Sequence, residues 1–337
     1  MHYRVLGRSG LRVSAIGLGC NPFGNEVDAA TAQRIVDAAS DLGVNYFDTA
    51  DAYYDGRSEE YLGRALAGRR HEVVVATKFG LQGGASRQHI IKACEASLRR
   101  LDTDYIDVYQ VHHPDRATPI AETLRALDDL ISQGKVRAIG SSNAFAWEMA
   151  DAQWTARTLG LTPFACCQEF YNLLYRDLER QMLPFLQAHA LALIPYFPLA
   201  GGLLSGTYRR GVPPPPGSRG SLRPTFATWD TDRNWRVQEA LAGFAVERGW
   251  PLPSLAIAWL LTRPTLATVI AGADTPEHLR ANVRALDLHL TQADLAEIDR
   301  LTLVDEDRSV PPVGRTPGST SGGSRGAQPP LVAEGTV

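Results

Sequence analysis

Four side chains of complementary chemistry lie at or just after short apolar runs in this chain: a carboxylate, Asp48; a phenol, Tyr53; an ammonium, Lys78; and an imidazole, His112. An unperturbed phenol titrates near pH ~10 and neither gives nor takes a proton readily at neutrality. A neighbouring ammonium stabilises the phenolate and is expected to lower that pKa, while a carboxylate anchors the ammonium. Tyr53, Lys78 and Asp48 thus make a proton-transfer unit, and His112 adds a hydrogen bond that orients a carbonyl oxygen. Each alone has a plainer explanation. An Asp or Lys at a strand end is usually a cap or a solvated charge, and a His shortly before Pro114 is usually a satisfied loop residue. Four of them converging on one rim point to chemistry.

The elements that must bring them together alternate from end to end. Strands are expected at Ala15–Gly19, Tyr46–Thr49, Val73–Lys78, Asp107–His112, Ala138–Ser142, Phe164–Gln168, Leu191–Tyr196 and Ala267–Ala271. Helical-period stretches such as Thr31–Leu42, Ser58–Leu66, Arg87–Leu101, Ile120–Ser132 and Trp147–Leu159 lie between them, several ending at a glycine (Gly43, Gly134, Gly160). Eight strand–helix units in about 250 residues predict an α/β fold, a single eight-stranded parallel β/α barrel whose active site sits at the C-terminal strand ends. A doubly wound dinucleotide fold is the alternative. Gly17-Leu-Gly19-Cys-Asn-Pro lacks its third glycine and opens no helix, which argues against that fold.

Around this frame, His2–Val13 reads as a β-hairpin closing the barrel bottom. Arg209–Asn234, with Pro213–Pro216 and several glycines, reads as a long loop after the seventh strand, the kind that is either a functional lid or disordered. The segment rich in Pro, Gly and Ser from about Ser309 is expected to be disordered. The domain division is then 1–308 for the barrel and 309–337 for the tail.

Composition narrows the partners. Net charge is −3 with 44% hydrophobic residues, so neither nucleic acid nor a membrane surface is the expected partner. No apolar run reaches a membrane span, and the polar N-terminus lacks a signal-peptide core, so a cytoplasmic protein is expected. Cys20, Cys94, Cys166 and Cys167 show no metal-ligand spacing and read as reduced, buried thiols. A metal-dependent barrel hydrolase built on His112 and His113 is discounted, because neighbours on a strand face opposite ways and no His-x-His pair occurs. No metal is expected.

The ordered motifs resemble the aldo-keto reductase family over about residues 3–302. They are Tyr3-Arg-Val-Leu-Gly-Arg-Ser-Gly-Leu, Phe47-Asp-Thr-Ala-Asp-Ala-Tyr53, Ser58-Glu-Glu-Tyr-Leu-Gly63, Ala76-Thr-Lys78, Asp107-Val-Tyr-Gln-Val-His112, Gly140-Ser-Ser-Asn143 and Gln168-Glu-Phe-Tyr-Asn172. The resemblance implies a catalytic tetrad in which Tyr53 is the general acid of reduction, Lys78 and Asp48 tune it, and His112 orients the carbonyl. It also implies NADPH, with NADH as a possible substitute, held without a Rossmann domain. Ser142, Asn143 and Gln168 would meet the nicotinamide amide, Tyr196 would stack on its ring, and Gly19 and Cys20 would lie beside it. Phe197, Leu199 and Gly201 would follow the pyrophosphate.

Gly272, Ala273, Asp274, His278 and Asn282 would hold the adenosine end in this family. Relatives often carry a basic residue where this chain has Asp274, and an acid there repels a 2′-phosphate. Arg280, or Arg209, Arg210 and Arg219, would have to compensate. Asn21, Phe23, Tyr54, Phe79 and His113 would line the substrate pocket. The expected activity is reduction of an aldehyde or ketone, with a sugar or secondary metabolite as the candidate substrate class, by hydride from NAD(P)H and a proton from Tyr53. Two alternatives remain: enone reduction on a nucleotide-linked deoxysugar, against which His112 speaks, and a cofactor-binding regulatory subunit. Substrate and oligomeric state stay open.

Overall fold

The structure is a computed structural model that describes residues 1–222 and 224–303. The expected 309–337 tail lies outside the described residues. Two short strands, β1 (Tyr3–Val5) and β2 (Arg12–Ser14), pair antiparallel. Eight more close into one parallel barrel: β3 (Ile16–Gly19), β4 (Tyr46–Asp48), β5 (Val74–Phe79), β6 (Ile106–Val111), β7 (Val136–Ser142), β8 (Cys166–Phe170), β9 (Ala192–Tyr196) and β10 (Val269–Gly272). Each expected strand is present, with ends moved by one or two residues.

Alternation along each strand sorts the side chains into two cores. Tyr46, Val74, Ala76, Val108, Ala138, Cys166, Ala192, Ile194 and Ile270 fill the barrel, with Leu6, Leu11 and Val13 of the hairpin among them. The hairpin is a plug. It seats closely because Gly7, at φ +53°, would push a Cβ to 2.1 Å from the Ala165 carbonyl oxygen. Outward-facing Val75, Phe79, Tyr109, Ile139 and Cys167 pack under the helices. Cys166 and Cys167 thus part to opposite faces, and all four cysteines are buried free thiols.

The helices Ala29–Asp41, Arg57–Ala65, Arg87–Leu101, Ile120–Ser132 and Ala146–Leu159 stand where the 3.6-residue period put them. They start from local signals: Asp28 and Ser86 cap two of them by accepting from Thr31 and His89 backbone N–H groups. The stretch 209–234 departs from expectation. It holds a helical turn (Arg219–Leu222) and a 3₁₀ segment (Pro224–Thr228), and a helix has already begun at Asp232 under a Thr231 cap. Its prolines end one turn and start the next, so loop composition concealed ordered structure.

One seam of the barrel is thin. Between β9 and β10 the register holds a single pair, Ile270↔Tyr196, with a lone bridge at Leu193↔Leu266. Leu193 exchanges bonds with Thr265 and Ala267, so Pro195, two residues on, faces the same neighbour without an N–H to give.

Candidate active site

The strand ends deliver the four expected side chains to one rim. Lys78 Nζ lies 2.6 Å from Asp48 Oδ1 and also donates to the Thr49 carbonyl at 2.8 Å. The ammonium sits 5.2 Å from the Tyr53 ring centroid. The Tyr53 and His112 rings meet edge to face with centroids 5.7 Å apart. Asp48, Lys78 and His112 are buried, and Tyr53 is half-buried at the rim.

Burial sets the protonation states. It pushes the Tyr53 phenol above its ordinary value, and Lys78 and Asn21 only partly oppose this. The expected lowering by Lys78 is therefore corrected: in this pocket desolvation outweighs the ammonium. Burial would also discharge Lys78, but Asp48 and Tyr53 overcome it and hold the ammonium above its usual range. Burial, Lys78 and His113 drive His112 well below the usual imidazole range, so it is neutral. The site holds a protonated phenol, a fixed cation behind it and a neutral imidazole beside it.

The turn that carries Tyr53 is unusual. Tyr54, Asp55 and Gly56 all have positive φ (51°, 57° and 86°), a conformation that costs non-glycine residues free energy and needs support. Support comes from both ends. Ser58 Oγ donates to the Cys20 carbonyl at 2.7 Å and meets Thr49 Oγ1 at 2.8 Å. Glu59, fully buried, accepts from Thr77 Oγ1 at 2.5 Å and from Arg100 Nε at 2.6 Å. Arg100 lies against Gly56, where a Cβ would come within 2.4 Å of its Cδ. Asp51 donates its N–H to the Lys78 carbonyl, and burial beside Glu59 pushes its carboxyl up to about 7.

Sequence reasoning singled out neither Glu59, Arg100 nor Ser58 as site residues. Glu59 and Arg100 are 41 positions apart, and the only local signal was the Ser58-Glu-Glu motif.

The residues expected to hold a cofactor fall around the same rim. Asn143, at φ +57°, donates to the His112 carbonyl at 3.0 Å and accepts from the Tyr196 hydroxyl at 2.6 Å. Ser142 Oγ donates to the Gln168 carbonyl. Gln168 Nε2 is tied to Asp48 Oδ2 at 2.8 Å, which makes it a partner of the Asp48–Lys78 pair, a link the sequence did not reveal. The Phe197 carbonyl accepts from Asn172, and Leu199 and Gly201 follow at the start of the Ala200–Ser205 turn. Asn282 Nδ2 donates to the Gly272 carbonyl, Ala273 is buried, and Asp274 Oδ2 stands 4.0 Å from His278 Nδ1. Arg280 pairs with Glu277 at 3.0 Å and lines a cleft of about 480 Å³ against Thr31, Arg34 and Asp37.

The arrangement fits a nicotinamide dinucleotide. His112 Nδ1 is buried and has no partner among the described residues, which leaves hydrogen-bonding capacity in the site. Exposed Gly272 has nothing within 4 Å of where a Cβ would stand, and the helix Pro276–Val283 opens its N-terminus just beyond, a natural anion seat.

Three expectations about the pocket change. Phe23 and Phe79 have no exposed surface, Phe79 packing on Tyr109 at 4.7 Å, so they back the pocket without lining it. The Cys20 side chain is likewise fully buried. His112 and His113 do not face opposite ways: β6 ends at Val111, and their rings stack 5.5 Å apart at 15°. Strand alternation therefore does not separate these two imidazoles. Among the described residues, however, no three His, Cys, Asp or Glu side chains are grouped to hold an ion. Tyr54 too is buried, at 5% exposure, while Asn21 and His113 stay partly exposed.

A model of the aldo/keto reductase family matches residues 15–302. A rice protein (Oryza sativa subsp. japonica) named "Probable voltage-gated potassium channel subunit beta" is 39% identical over 302 residues, covering 86% of this chain and 92% of its own. An Arabidopsis thaliana protein of the same name is 37% identical over the same coverage.

Proposed function

The chain belongs to the aldo/keto reductase family, and on that premise we propose that it reduces an aldehyde or ketone to an alcohol with Tyr53 as proton donor. The observation that supports this most is the Tyr53–Lys78–Asp48 unit: a neutral phenol, a buried ammonium and the carboxylate that fixes it.

A bound nicotinamide dinucleotide supplies the hydride; Ser142, Asn143, Gln168 and Tyr196 would hold its nicotinamide end, and Gly272–Asp274 with His278 and Asn282 its adenosine end. The rest is done by the chain. His112, neutral and therefore a hydrogen-bond donor through one nitrogen only, orients the carbonyl oxygen. As negative charge grows on that oxygen, Tyr53 Oη delivers its proton. The Lys78 ammonium stabilises the phenolate left behind, and Asp48, held by Gln168, keeps the ammonium in place.

The test is a screen of aldehydes, ketones and sugars with both reduced cofactors, run on wild type and Tyr53→Phe. Loss of about 10²–10⁴-fold in turnover with cofactor binding intact is expected. Retention of more than about a tenth of the wild-type rate removes Tyr53 from this role.

The cofactor we propose is NADPH, with NADH competing more strongly than the family resemblance implies, since Asp274 has His278 beside it while Arg280 is engaged by Glu277. Two charge-assisted bonds to a 2′-phosphate at ~1.5–3 kcal/mol each would give a preference above tenfold, and a fixed acid erodes most of it. Dissociation constants for both cofactors in wild type and Asp274→Arg decide the matter. A wild-type preference for NADPH beyond about a hundredfold, unchanged by Asp274→Arg, would falsify this reading.

A second reading, a cofactor-binding regulatory subunit, is favoured by the names of the two plant relatives. It predicts tight cofactor binding with negligible turnover across the same screen. The free thiols and the lack, among the described residues, of any helix long and apolar enough to cross a membrane fit our placement of the protein in the cytoplasm.

A further inference from the structure

The helix Ala146–Leu159 buries Met149, Ala152, Gln153 and Ala156 and turns two tryptophans outward, Trp147 at 59% and Trp154 at 70% exposure. Seven residues apart, they share one face, about 10 Å from each other along the axis. Large aromatic side chains on a water-facing surface mark contact sites, and tryptophan is the most enriched residue at interface centres. Phe145 extends the patch, with Arg116 over the rings of Phe145 and Trp147 at 5.6 and 5.8 Å. Beside Trp154 a shallow cleft of about 370 Å³ opens between this helix and Met182–His189, lined by Ala150, Asp151, Arg157 and His189.

We propose that this face binds a second copy of the chain, the two helices lying antiparallel across a two-fold axis with each Trp147 seated in the other's cleft beside Trp154. The same helix carries a projecting ring near one end and a hollow near the other. A two-fold rotation about the midpoint, between Ala150 and Asp151, brings each ring to the opposite hollow. The charges agree with this arrangement. Arg116, which rides on Trp147 and pairs with Glu148 of its own chain at 3.0 Å, comes on docking to Asp151 of the other copy as well, beside the receiving cleft. Arg116 and Arg157 balance Glu148 and Asp151 on each copy, so the faces carry no net repulsion. Small Ala150 at the axis lets the backbones approach. The tryptophans supply a few hundred Å² per copy, short of the ~800 Å² per partner of a standard interface, so a weak, reversible dimer is expected.

This inference is independent of the proposed reaction. Sedimentation equilibrium of the full chain from low micromolar to near-millimolar concentration should show reversible dimers. Trp154→Asp should weaken them about thirtyfold or more, the size of a hot-spot loss, without altering the far-ultraviolet spectrum. Arg116→Glu and Asp151→Arg should each weaken the dimer, and the two together should restore it, because the pair is exchanged across the axis. A monomer throughout the range, or an oligomer indifferent to both Trp147→Asp and Trp154→Asp, overturns the proposal. So does failure of the charge exchange to restore association. Dimers that form only after residues 304–337 are removed would show that the chain's own C-terminal segment occupies the face, and would also overturn it.

Discussion

Two buried ion pairs flank the turn that carries Tyr53, on opposite sides of the same strand. Lys78 points into the barrel toward Asp48, and its neighbour Thr77 points out toward Glu59 and Arg100. Both carboxylates are shut away from water, with Asp48 5% and Glu59 0% exposed in their side chains. What differs is what the rest of each pair touches. Glu59 is saturated by a hydroxyl and a guanidinium that lead only to the helices. Lys78 faces the phenol of Tyr53 at the rim, 5.2 Å from its ring centroid. A buried pair contributes little net stability by itself, and breaking one is costly. What it does is fix geometry. On the proposed reaction the inner pair fixes a charge that takes part in chemistry, and the outer pair fixes the backbone that presents the phenol.

The comparison can be broken by removing each pair singly and then whole. The largest effect is expected for Lys78→Met: turnover falls about 10²–10³-fold as the phenolate loses its partner, and stability falls because Asp48 is left uncompensated. Adding Asp48→Asn should recover stability, measured by urea unfolding, and none of the turnover. Arg100→Met should destabilise by a similar ~3–5 kcal/mol, yet lower turnover less than about tenfold. There Glu59→Gln in the double variant should recover both quantities. If the outer double variant stays as inactive as Lys78→Met, the division between chemical and positioning pairs is wrong.

The smallest effect concerns Asp51, whose carboxyl is pushed up to about 7 by burial and by Glu59. A carboxyl raised in the folded state stays protonated there while the unfolded chain releases its proton from about pH 4 upward. Its contribution therefore turns against folding as pH rises from about 4 to 7 and is level above that. Asp51→Asn should flatten this slope and gain on the order of 1–2 kcal/mol at pH 8, discounted for partial solvent access. Parallel unfolding curves for wild type and variant from pH 5 to about pH 8 would show that Asp51 titrates normally.

The barrel and the inner pair were legible because both rest on short-range rules. Strand alternation gave the two faces, and strand ends gave the rim. The hairpin plug was readable from Gly7-Arg-Ser-Gly10 between alternating segments. The outer pair was not readable, since no local pattern joins Glu59 to Arg100 across two elements. Residues 209–234 misled because turn-forming residues also start helices. The direction of the Tyr53 shift was missed for another reason: sequence shows that an ammonium is near, and only the folded pocket shows how much water is lost. His113 taught a similar lesson, since period-two reasoning stops where the strand does.

The thin seam between β9 and β10 gives this closed ring a preferred place to open. Every other pair of neighbouring barrel strands shares at least two registered residues, while this one shares Ile270 and Tyr196 alone. A hoop under outward pressure gives at its weakest joint, and Pro195 has left this joint short of a fastening. Thermal breathing of the wall should therefore concentrate there, beside the phenol that clasps Asn143. The rim is built like a clasped bracelet, rigid along most of its circumference and sprung at one link, beside the Tyr196–Asn143 bond.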